Sequence, residues 1–280
     1  LLQKRIALIK SWIKACDDKD GRVHGRVMTL KTITGRMSHN SPNMAQIPAV
    51  RSPYGKECRE CWTVSNPHTH SIVGTDASGL ELRCLAHLMN DTTFTDILLT
   101  GDIHTHNMKM AGLTDRDQAK TFIYAFMYGA GANKIGKIVG AGAKEGGQLI
   151  TKFLTSMPSL KRVRDEVTKA SAKGKIRGID GRVLYIRSPH SALNTLLQGA
   201  GAVVCKVWLI NIMTRVRTLG VDAKLVASIH DEYQFEVLNT DVKKFGQITK
   251  DAMKDTEKEL RMKCPLDSEW KVGKTWAETH

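Results

Sequence analysis

Residues 75–83 read Thr-Asp-Ala-Ser-Gly-Leu-Glu-Leu-Arg, and residues 230–232 read His-Asp-Glu. Each stretch places an aspartate, Asp76 or Asp231, at the end or turn of an apolar run that is typical of a β-strand. If those strands are neighbours, the two carboxylates meet at one end of a sheet. Paired carboxylates repel each other unless cations lie between them, and Mg²⁺ prefers such oxygen ligands. Taken singly, each aspartate has the plainer interpretation of a turn residue.

Between the two aspartates, a second pattern repeats every four positions: Arg116, Lys120, Tyr124 and Tyr128. On an α-helix each step of four advances about 40° beyond a full turn, so these residues form a slowly winding stripe on one face. Two cations one turn apart can hold phosphate oxygens, and a tyrosine one turn further can pack against a sugar or base. A solvated basic edge is the alternative. The position of the stripe between two candidate metal ligands favours a triphosphate site, and together these features are equipment for adding a nucleotide to a strand.

The composition favours a nucleic-acid partner. Lysine and arginine exceed aspartate and glutamate by 14 in a chain of 280 residues, which is long enough for one domain with subdomains. Such a positive surface attracts a polyanion, with nucleic acid as the first candidate. A basic membrane-surface protein is the weaker alternative, because the charges are spread along the chain rather than gathered on one amphipathic segment.

Neither a membrane span nor a disulfide framework is predicted. The longest apolar stretch, residues 200–213, is interrupted by Lys206 and Asn211, and nothing resembles a signal peptide. The six cysteines form no tight framework for a chain this long, so reduced thiols in a cytosolic setting are the simpler interpretation.

The periodicity predicts an α+β fold whose sheet is closed by distant segments. Helices are predicted over residues 1–16, 80–89, 116–128, 191–219 and 241–263, and strands over 71–75, 225–229 and 233–237, with a hairpin over 176–186. Residues 22–75 are predicted to be short extended pieces with turns, and Thr114 is predicted to cap the helix that carries the stripe.

These stretches together resemble the family A, or polymerase I-like, DNA polymerases. Residues 76–83 resemble motif A of that family, residues 116–129 motif B, and residues 230–232 motif C. Further stretches match in the same order: Thr34-Gly-Arg36 with Pro42–Pro48, Gly101–Thr105, and Asn194 with Gln198. The resemblance covers about residues 20–280. The residues at 76–79, 128–131 and 187–190 are most similar to those of the phage replicative branch of the family.

The resemblance implies a right-hand polymerase fold with an antiparallel palm sheet and a helical fingers insert. On this interpretation residues 1–21 are a remnant of the thumb helix, 22–95 and 189–280 form the two parts of the palm, and 96–188 form the fingers. The family's 3′–5′ exonuclease domain and most of its thumb would be absent. Leu at position 1 likewise favours a piece of a longer polypeptide.

The resemblance also implies a role for each matching residue. Asp76 and Asp231, with the Ala77 carbonyl, would bind two Mg²⁺ ions. Lys120 would protonate the leaving pyrophosphate, and Glu232 completes the catalytic set. The implied nucleotide-binding residues are Glu81, His104, Arg116, Lys120 and Tyr124. The implied primer- or template-binding residues are Arg36, Asn43, Tyr128, Asn194, Gln198 and His230.

Three features remain open at this stage. Ser78-x-x-Glu81 is a capping-box pattern, but the matching glutamate in the family excludes a ribose 2′-hydroxyl, and the family role is favoured because Gly79 lets the cap shift. Ala125 stands where close relatives have glycine. A zinc site is an unfavoured alternative for four residues with suitable side chains but no second tight pair: Cys58, Cys61, His68 and His70.

The leading functional hypothesis is template-directed DNA synthesis from dNTPs on a primer, in the cytoplasm of a bacterial host if the chain is phage-encoded. The expected partners are primer–template DNA, dNTPs and a processivity factor bound to the missing thumb, with no membrane partner. A single-subunit RNA polymerase, a metal-dependent nuclease and a non-catalytic primer–template-binding fragment are the alternatives. Glu81 argues against the RNA polymerase, and a nuclease would not need the Arg116–Tyr128 stripe.

Overall fold

The chain folds into two units, and the computed structural model describes all of residues 1–280. Unit 1 comprises Leu1–Ser78, Ala202–Leu260 and Leu266–His280. Unit 2 comprises Gly79–Gly201 and Arg261–Pro265. The chain therefore leaves unit 1 after Ser78, two residues beyond Asp76. It returns at Ala202, within the helix Ala192–Thr218.

Unit 1 is built on an antiparallel sheet. Its elements are α1 (Leu2–Ala15), β1 (Arg26–Met28), β2 (Ser38–Asn40), α2 (Gly55–Glu60), β3 (His70–Ala77), the second part of α10 (Ala192–Thr218), β6 (Ala223–Ile229), β7 (Glu232–Leu238), α11 (Val242–Glu259) and β8 (Ser268–Gly273). The main sheet has the strand order β6–β7–β3–β8, with every pair antiparallel. The central strand β3 thus pairs with two strands that come much later in the chain, which confirms the prediction of an α+β sheet closed by distant segments.

The main sheet of unit 1 is covered on both faces. On one side Phe235 of β7 packs against Phe245 of α11, with ring centroids 4.7 Å apart, and Tyr233 packs against Trp208 of α10 at 5.2 Å. The second apolar cluster consists of Trp12, Ile47, Cys58, Ile229 and Trp276. Because both faces are covered, nearly every residue of β3 and β7 is buried, and buried and exposed residues do not alternate along these strands.

Unit 2 is mainly helical. Its elements are α3 (Leu80–Met89), α4 (Thr92–Thr100), α5 (Ile103–Ala111), α6 (Arg116–Met127), α7 (Ala132–Ile138), α8 (Ala143–Ser156), α9 (Pro158–Ser171), β4 (Lys175–Arg177), β5 (Val183–Tyr185) and the first part of α10. The core of this unit includes Phe122 and Phe126 of α6, which contact the ring of Phe153 edge-on at 5.0 and 5.7 Å. These aromatic contacts fix which face of α6 is buried.

The helix that carries the stripe is capped by a different residue from the one predicted. The side chain of Asp115, not Thr114, accepts the hydrogen bond from the Gln118 N–H at 2.8 Å. Aspartate is a stronger cap than threonine, and its charge also favours the positive end of the helix. The helix itself runs over Arg116–Met127 as predicted.

Among the elements that the sequence prediction missed are α2, α4, α5 and β8. Residues 22–75 were expected to be extended, but Gly55–Glu60 form α2. A helix this short is stabilised by tertiary burial and not by its own propensity, and Cys58 and Arg59 within it are buried. Strand β8 was not assigned because it mixes exposed charged residues with its buried ones.

Helix α10 is the one helix long and apolar enough, by length and composition alone, to cross a membrane. Within the fold, however, 61% of its apolar window is buried. The core helix of a folded domain passes the same test, so this helix is weak evidence for a membrane span.

We expect Gly246→Ala to lower the free energy of unfolding. A methyl group at Gly246 would lie 2.3 Å from the Trp270 ring, so the ring must shift. Alanine gains about 1 kcal/mol of helix propensity, but overpacking costs about 1–3 kcal/mol, and we expect a net loss. Urea denaturation of parent and variant measures the difference.

Gly147→Ala in α8 is the matched control for this substitution. There the nearest side-chain atom, Ala132 Cβ, lies 3.8 Å from the added methyl, which is ordinary contact. We expect this variant to gain about 0.5–1 kcal/mol from helix propensity alone. A Gly246→Ala protein as stable as the parent would contradict the close packing of α11 on β8.

Candidate active site

The two aspartates of the sequence motifs meet at one end of the unit 1 sheet. Asp76, near the end of β3, lies opposite Glu232 in the register of β3 and β7. The backbone N–H of Ala77 donates a hydrogen bond to the Asp231 carbonyl oxygen at 3.0 Å. Asp231 itself lies in the tight turn between β6 and β7, where His230 has a φ of +54°. The predicted convergence of the two strands is therefore confirmed.

Negative charge is concentrated at this strand end. Partial burial raises the pKa of Asp76 to about 7, and the neighbouring charges of Asp231 and then Glu232 add to the rise. A raised carboxylate pKa means that the ionised form is poorly balanced by its surroundings. Oxygen ligands with unbalanced negative charge suit a divalent cation, so the donor set of Asp76, Asp231 and the Ala77 carbonyl fits Mg²⁺.

Glu232 differs from the two aspartates because it is buried and fully hydrogen-bonded. Only 5% of the residue is exposed. One carboxylate oxygen accepts hydrogen bonds from Trp276 Nε1 and Gln234 Nε2, and the other accepts from His280 Nδ1 at 2.9 Å. Burial acts to raise the pKa of Glu232, but the hydrogen bond and charge of His280, with the Trp276 and Gln234 donors, lower it overall. Glu232 is therefore held as a buried anion.

Arg59 provides a buried cation beside this anion. Its Nη1 lies 3.8 Å from Glu232 Oε1, its Nε donates to the Pro48 carbonyl at 2.9 Å, and its guanidinium stacks 4.4 Å from the Trp276 ring centroid. Burial lowers the pKa of Arg59, and the charge of Glu232 opposes that change. Sequence reasoning missed both Arg59 and Trp276, because neither belongs to a local motif and both act through contacts far along the chain.

Gly74 leaves the space that this arrangement requires. A side chain there would lie 2.6 Å from both Gln234 Nε2 and the Thr279 carbonyl oxygen. The hydroxyl of Thr279 in turn donates to Gln234 Oε1 at 2.7 Å. Glycine in the middle of β3 thus lets the segment that carries Trp276, Thr279 and His280 approach the strand that carries Asp76.

In unit 2 the predicted stripe forms one exposed edge of α6. Arg116 and Lys120 are exposed, and Tyr124 is half-buried. Arg116 makes a two-point ion pair with Asp102, with Nε–Oδ2 and Nη2–Oδ1 distances of 2.6 and 3.1 Å. Asp102 also caps α5 by accepting the His104 N–H. The hydrogen bond from Arg116 holds the pKa of Asp102 well below its usual range.

His104 lies beside this stripe. Its ring centroid is 6.1 Å from that of Tyr124, which is 6.5 Å from that of Tyr128. Burial, and then the charges of Lys120 and Arg116, lower the pKa of His104. His104 is thus a neutral ring at neutral pH, next to two cations. Asp102 belongs to the Gly101–Thr105 stretch that resembles the family, so the sequence drew attention to it. Its ion pair with Arg116 was not predicted.

Glu81 does not take part in a capping box. Helix α3 begins after Gly79, which adopts φ +59° and makes no side-chain cap, so the Ser78-x-x-Glu81 cap does not form. Glu81 Oε2 instead accepts a hydrogen bond from Tyr128 Oη at 2.7 Å. The glutamate of the first motif is therefore joined to the last residue of the stripe within unit 2.

The predicted primer and template residues fall in three places. In unit 1, Arg36 and His230 line one small recess with Lys206. Asn43 uses its side-chain oxygen to cap a short 3-10 helix by accepting the Ala45 N–H at 3.2 Å. Asn194 and Gln198, in unit 2, are one turn apart on α10 and partly buried. Their contacts with nucleic acid remain predictions.

The zinc alternative finds no support in the arrangement of its four residues. Cys58 is fully buried in the apolar cluster with Trp12 and Trp276. The set of Cys58, Cys61, His68 and His70 supplies no group of three ligand atoms within 4.8 Å of one another. The chain's one such group, Asp17 with Asp20 and His24, is exposed and lies elsewhere.

Comparison with known proteins decides the family. A sequence profile described as DNA polymerase family A matches residues 2–278. The chain belongs to DNA polymerase family A. This family A chain is 40% identical to the DNA-directed DNA polymerase of Enterobacteria phage T3 and 39% identical to that of Escherichia phage T7. Each match covers 100% of the chain and 45% of the relative.

A solved structure shares the fold of this family A chain. The POL domain of Pol1 from M. smegmatis, in complex with DNA primer-template and dNTP, superposes with a TM-score of 0.89 at 22% identity. The match covers 99% of this chain and 52% of that structure. The predicted right-hand polymerase fold is therefore confirmed. The chain spans less than half the length of the phage relatives that it matches.

We expect the folded protein, with metals chelated, to lose stability as pH rises because of Asp76. Its pKa rises from 3.8 to about 7 on folding. The folded state therefore keeps a proton that the unfolded state has released, and between these two values stability falls with increasing pH. Asp76→Asn stays neutral, so it should melt at a higher temperature than the parent at about pH 8, and its advantage should be smaller at about pH 5, where the parent has lost only part of this stability.

Thermal unfolding in EDTA at both pH values measures this difference. Asp18→Asn is the matched control, because it makes the same change at an exposed carboxylate remote from the strand end. If Asp76→Asn gains no more at high pH than Asp18→Asn, the charge crowding inferred at this site is wrong.

Proposed function

We propose that the chain carries out template-directed DNA synthesis, transferring a nucleotide from a dNTP to the 3′-hydroxyl of a primer. The observation that carries this proposal is the register of β3 with β7, which sets Asp76 beside the Asp231–Glu232 pair. Membership of DNA polymerase family A supports the same reaction.

The proposed metal ligands are Asp76, Asp231 and the Ala77 carbonyl. Two Mg²⁺ ions bound there would lower the pKa of the primer hydroxyl and neutralise charge on the leaving pyrophosphate. Glu232 is proposed to contribute as a fixed negative charge, because its own oxygens are occupied by Trp276, Gln234 and His280. Glu232 would then add negative charge beside the two aspartates without competing with them for the cation.

The proposed triphosphate ligands lie on the edge of α6. Arg116 and Lys120 would hold phosphate oxygens, His104 would donate to another, and Lys120 would protonate the pyrophosphate as it leaves. Tyr124 would pack against the sugar, and Tyr128 would lie near the templating base. In the protein without nucleotide, Asp102 keeps the Arg116 guanidinium oriented, so less side-chain freedom is lost when phosphate binds.

The remaining assignments are proposals of the same kind. We propose Arg36, Asn43, Asn194, Gln198 and His230 as contacts to primer or template, largely through the minor groove, where acceptors vary little between base pairs. Residues 22–95 and 189–280 would form the palm, 96–188 the fingers and 1–21 part of the thumb. We also propose a processivity factor as a partner, and the cytoplasm of a bacterial host as the site of action, the latter because the relatives are phage enzymes.

The main competing function is non-catalytic binding of primer–template. The observation that favours it is that the chain spans less than half the length of the phage relatives that it matches. A single-subunit RNA polymerase is disfavoured by Glu81 and by the names of the relatives. Primer extension with dNTPs or rNTPs, with and without Mg²⁺, separates these functions and also a nuclease, which would shorten the primer.

We expect Asp76→Ala and Asp231→Ala each to abolish primer extension while DNA binding persists. Each substitution removes a proposed metal ligand, whereas phosphate contacts elsewhere supply the affinity for DNA. Gel-resolved extension and fluorescence anisotropy measure the two properties on the same protein. Asp18→Ala, which removes an exposed carboxylate, is the control. Extension by either variant within about tenfold of the parent, or about 1.4 kcal/mol of barrier, would overturn the assignment.

We expect the Glu81–Tyr128 pair to control discrimination between dNTPs and rNTPs. Glu81→Ala should raise the relative use of rNTPs by about tenfold or more, because the carboxylate no longer occupies the space of a 2′-hydroxyl. Tyr128→Phe keeps the glutamate but removes its hydrogen bond, so we expect a smaller rise of about fivefold.

The ratio of kcat/KM for a matched dNTP and rNTP measures this discrimination. Tyr54→Phe serves as the control for hydroxyl loss, because Tyr54 is an exposed tyrosine of unit 1 with no proposed role in nucleotide binding. An unchanged ratio in Glu81→Ala would show that Glu81 has no part in sugar selection.

A further inference from the structure

The β4–β5 hairpin of unit 2 presents an ordered outer face to solvent. Lys175 lies opposite Tyr185, and Arg177 lies opposite Val183, in the antiparallel register. Between them the inward pair, Ile176 and Leu184, is 6% and 1% exposed. Because side chains alternate along a strand, the residues on either side of this pair point outward.

The ladder continues one step beyond the named strands. The backbone N–H of Ile186 donates to the Gly174 carbonyl at 2.9 Å, so the residues flanking that bond share the outward direction. We call this outward side the hairpin face. It consists of Lys173, Lys175, Arg177, Val183, Tyr185 and Arg187, all of which are exposed.

The hairpin face lies in the most basic part of unit 2. Residues 158–187 contain nine lysines and arginines against three acidic residues, a surplus of six within a chain whose net charge is +14. Two of those acids are already paired: Asp180 with Arg182 at 2.6 Å and Asp165 with Lys161 at 2.7 Å. The four cations of the hairpin face make no ion pair with a carboxylate. Their charge is therefore available to an anionic partner.

Tyr185 distinguishes among the anionic partners that such a surface could bind. It is 69% exposed, more than any other aromatic side chain of the chain. It stands directly opposite Lys175, with Arg177 two residues further along the same face. An exposed ring among cations is the arrangement by which proteins hold single-stranded nucleic acid, since bases stack on the ring while the cations follow the phosphates. An acidic polypeptide would use the cations but gain little from the ring.

We propose that the hairpin face binds single-stranded nucleic acid, with a base stacked on Tyr185 and phosphates beside Lys175 and Arg177. Recognition by stacking is tolerant of sequence, because every base has an aromatic face. That the strand is the unpaired part of a copied template rests on the proposed function. The binding itself does not, and it needs neither dNTP nor a catalytic metal.

The test is binding of a fluorescein-labelled oligothymidylate, followed by anisotropy in EDTA with an excess of blunt hairpin duplex to occupy duplex-binding surfaces. We expect Tyr185→Ala to weaken binding about fivefold or more, because one stacked base is lost. Tyr185→Phe keeps the ring and should bind within about twofold of the parent. These exposed positions carry little of the core, and an unchanged melting temperature confirms that each variant is folded.

The cations are tested by the double variant Lys175→Gln/Arg177→Gln. We expect weaker binding and a slope of log affinity against log salt reduced by about 1.4, as for two lost contacts to a single strand. The matched control is Lys243→Gln/Lys250→Gln, which removes two exposed cations from α11 and should leave affinity and slope near the parental values.

Three outcomes would overturn the proposal. Tyr185→Ala could bind oligothymidylate as well as the parent, Tyr185→Phe could lose as much as Tyr185→Ala, or the two double charge variants could behave alike. A labelled oligoglutamate tests the competing partner: if only its binding depends on Lys175 and Arg177, the face serves an acidic polypeptide and the proposal is wrong. The test measures binding and not primer extension. Its outcomes can therefore be interpreted even if the proposed polymerase activity is absent.

Discussion

The pairing of β3 with β7 is the constraint on which the site depends. Their register sets Asp76 opposite Glu232. One further hydrogen bond, from the Ala77 N–H to the Asp231 carbonyl, extends the pairing to the β6–β7 turn. A slip of one residue would turn every side chain of β3 to the other face of the sheet. The register is protected because residues on both faces of β3, Val73 among them, are buried against fitted neighbours, and a slip would break those contacts.

Around this pairing, the protein separates two kinds of carboxylate. Asp76 is crowded by the negative charges of Asp231 and Glu232, whereas Glu232 is buried among hydrogen-bond donors and beside the Arg59 guanidinium. Removing one partner of a buried ion pair is costly, because the remaining charge stays desolvated. Arg59, Trp276 and Glu232 therefore form a unit whose members cannot be lost singly without cost. This unit lies beside Asp76, which pairs with Glu232 across the two strands and is exposed to solvent.

Local patterns predicted the elements that carry chemistry, and tertiary contacts decided the others. An apolar run ending at Thr75-Asp76 predicted β3, His230-Asp231 between two apolar runs predicted the β6–β7 turn, and a four-residue repeat predicted α6. Helix α2 was missed because it exists through burial of Cys58 and Arg59. The partners of Glu232 were missed because Trp276 and His280 are remote in sequence. Glu81 could be weighed between a cap and a functional role, but only the bond to Tyr128 shows what it contacts.

The position of β3 between β7 and β8 has a consequence for biosynthesis. The central strand leaves the ribosome long before either of its neighbours, and a whole helical unit is made in between. Contacts so distant in sequence form slowly, because a long loop must be closed before they contribute stability. During this interval β3 has no neighbouring strand to pair with, so nascent chains would expose an apolar, unpaired strand that is prone to aggregation. A chaperone that shields residues 70–77 during translation would therefore raise the yield of folded protein.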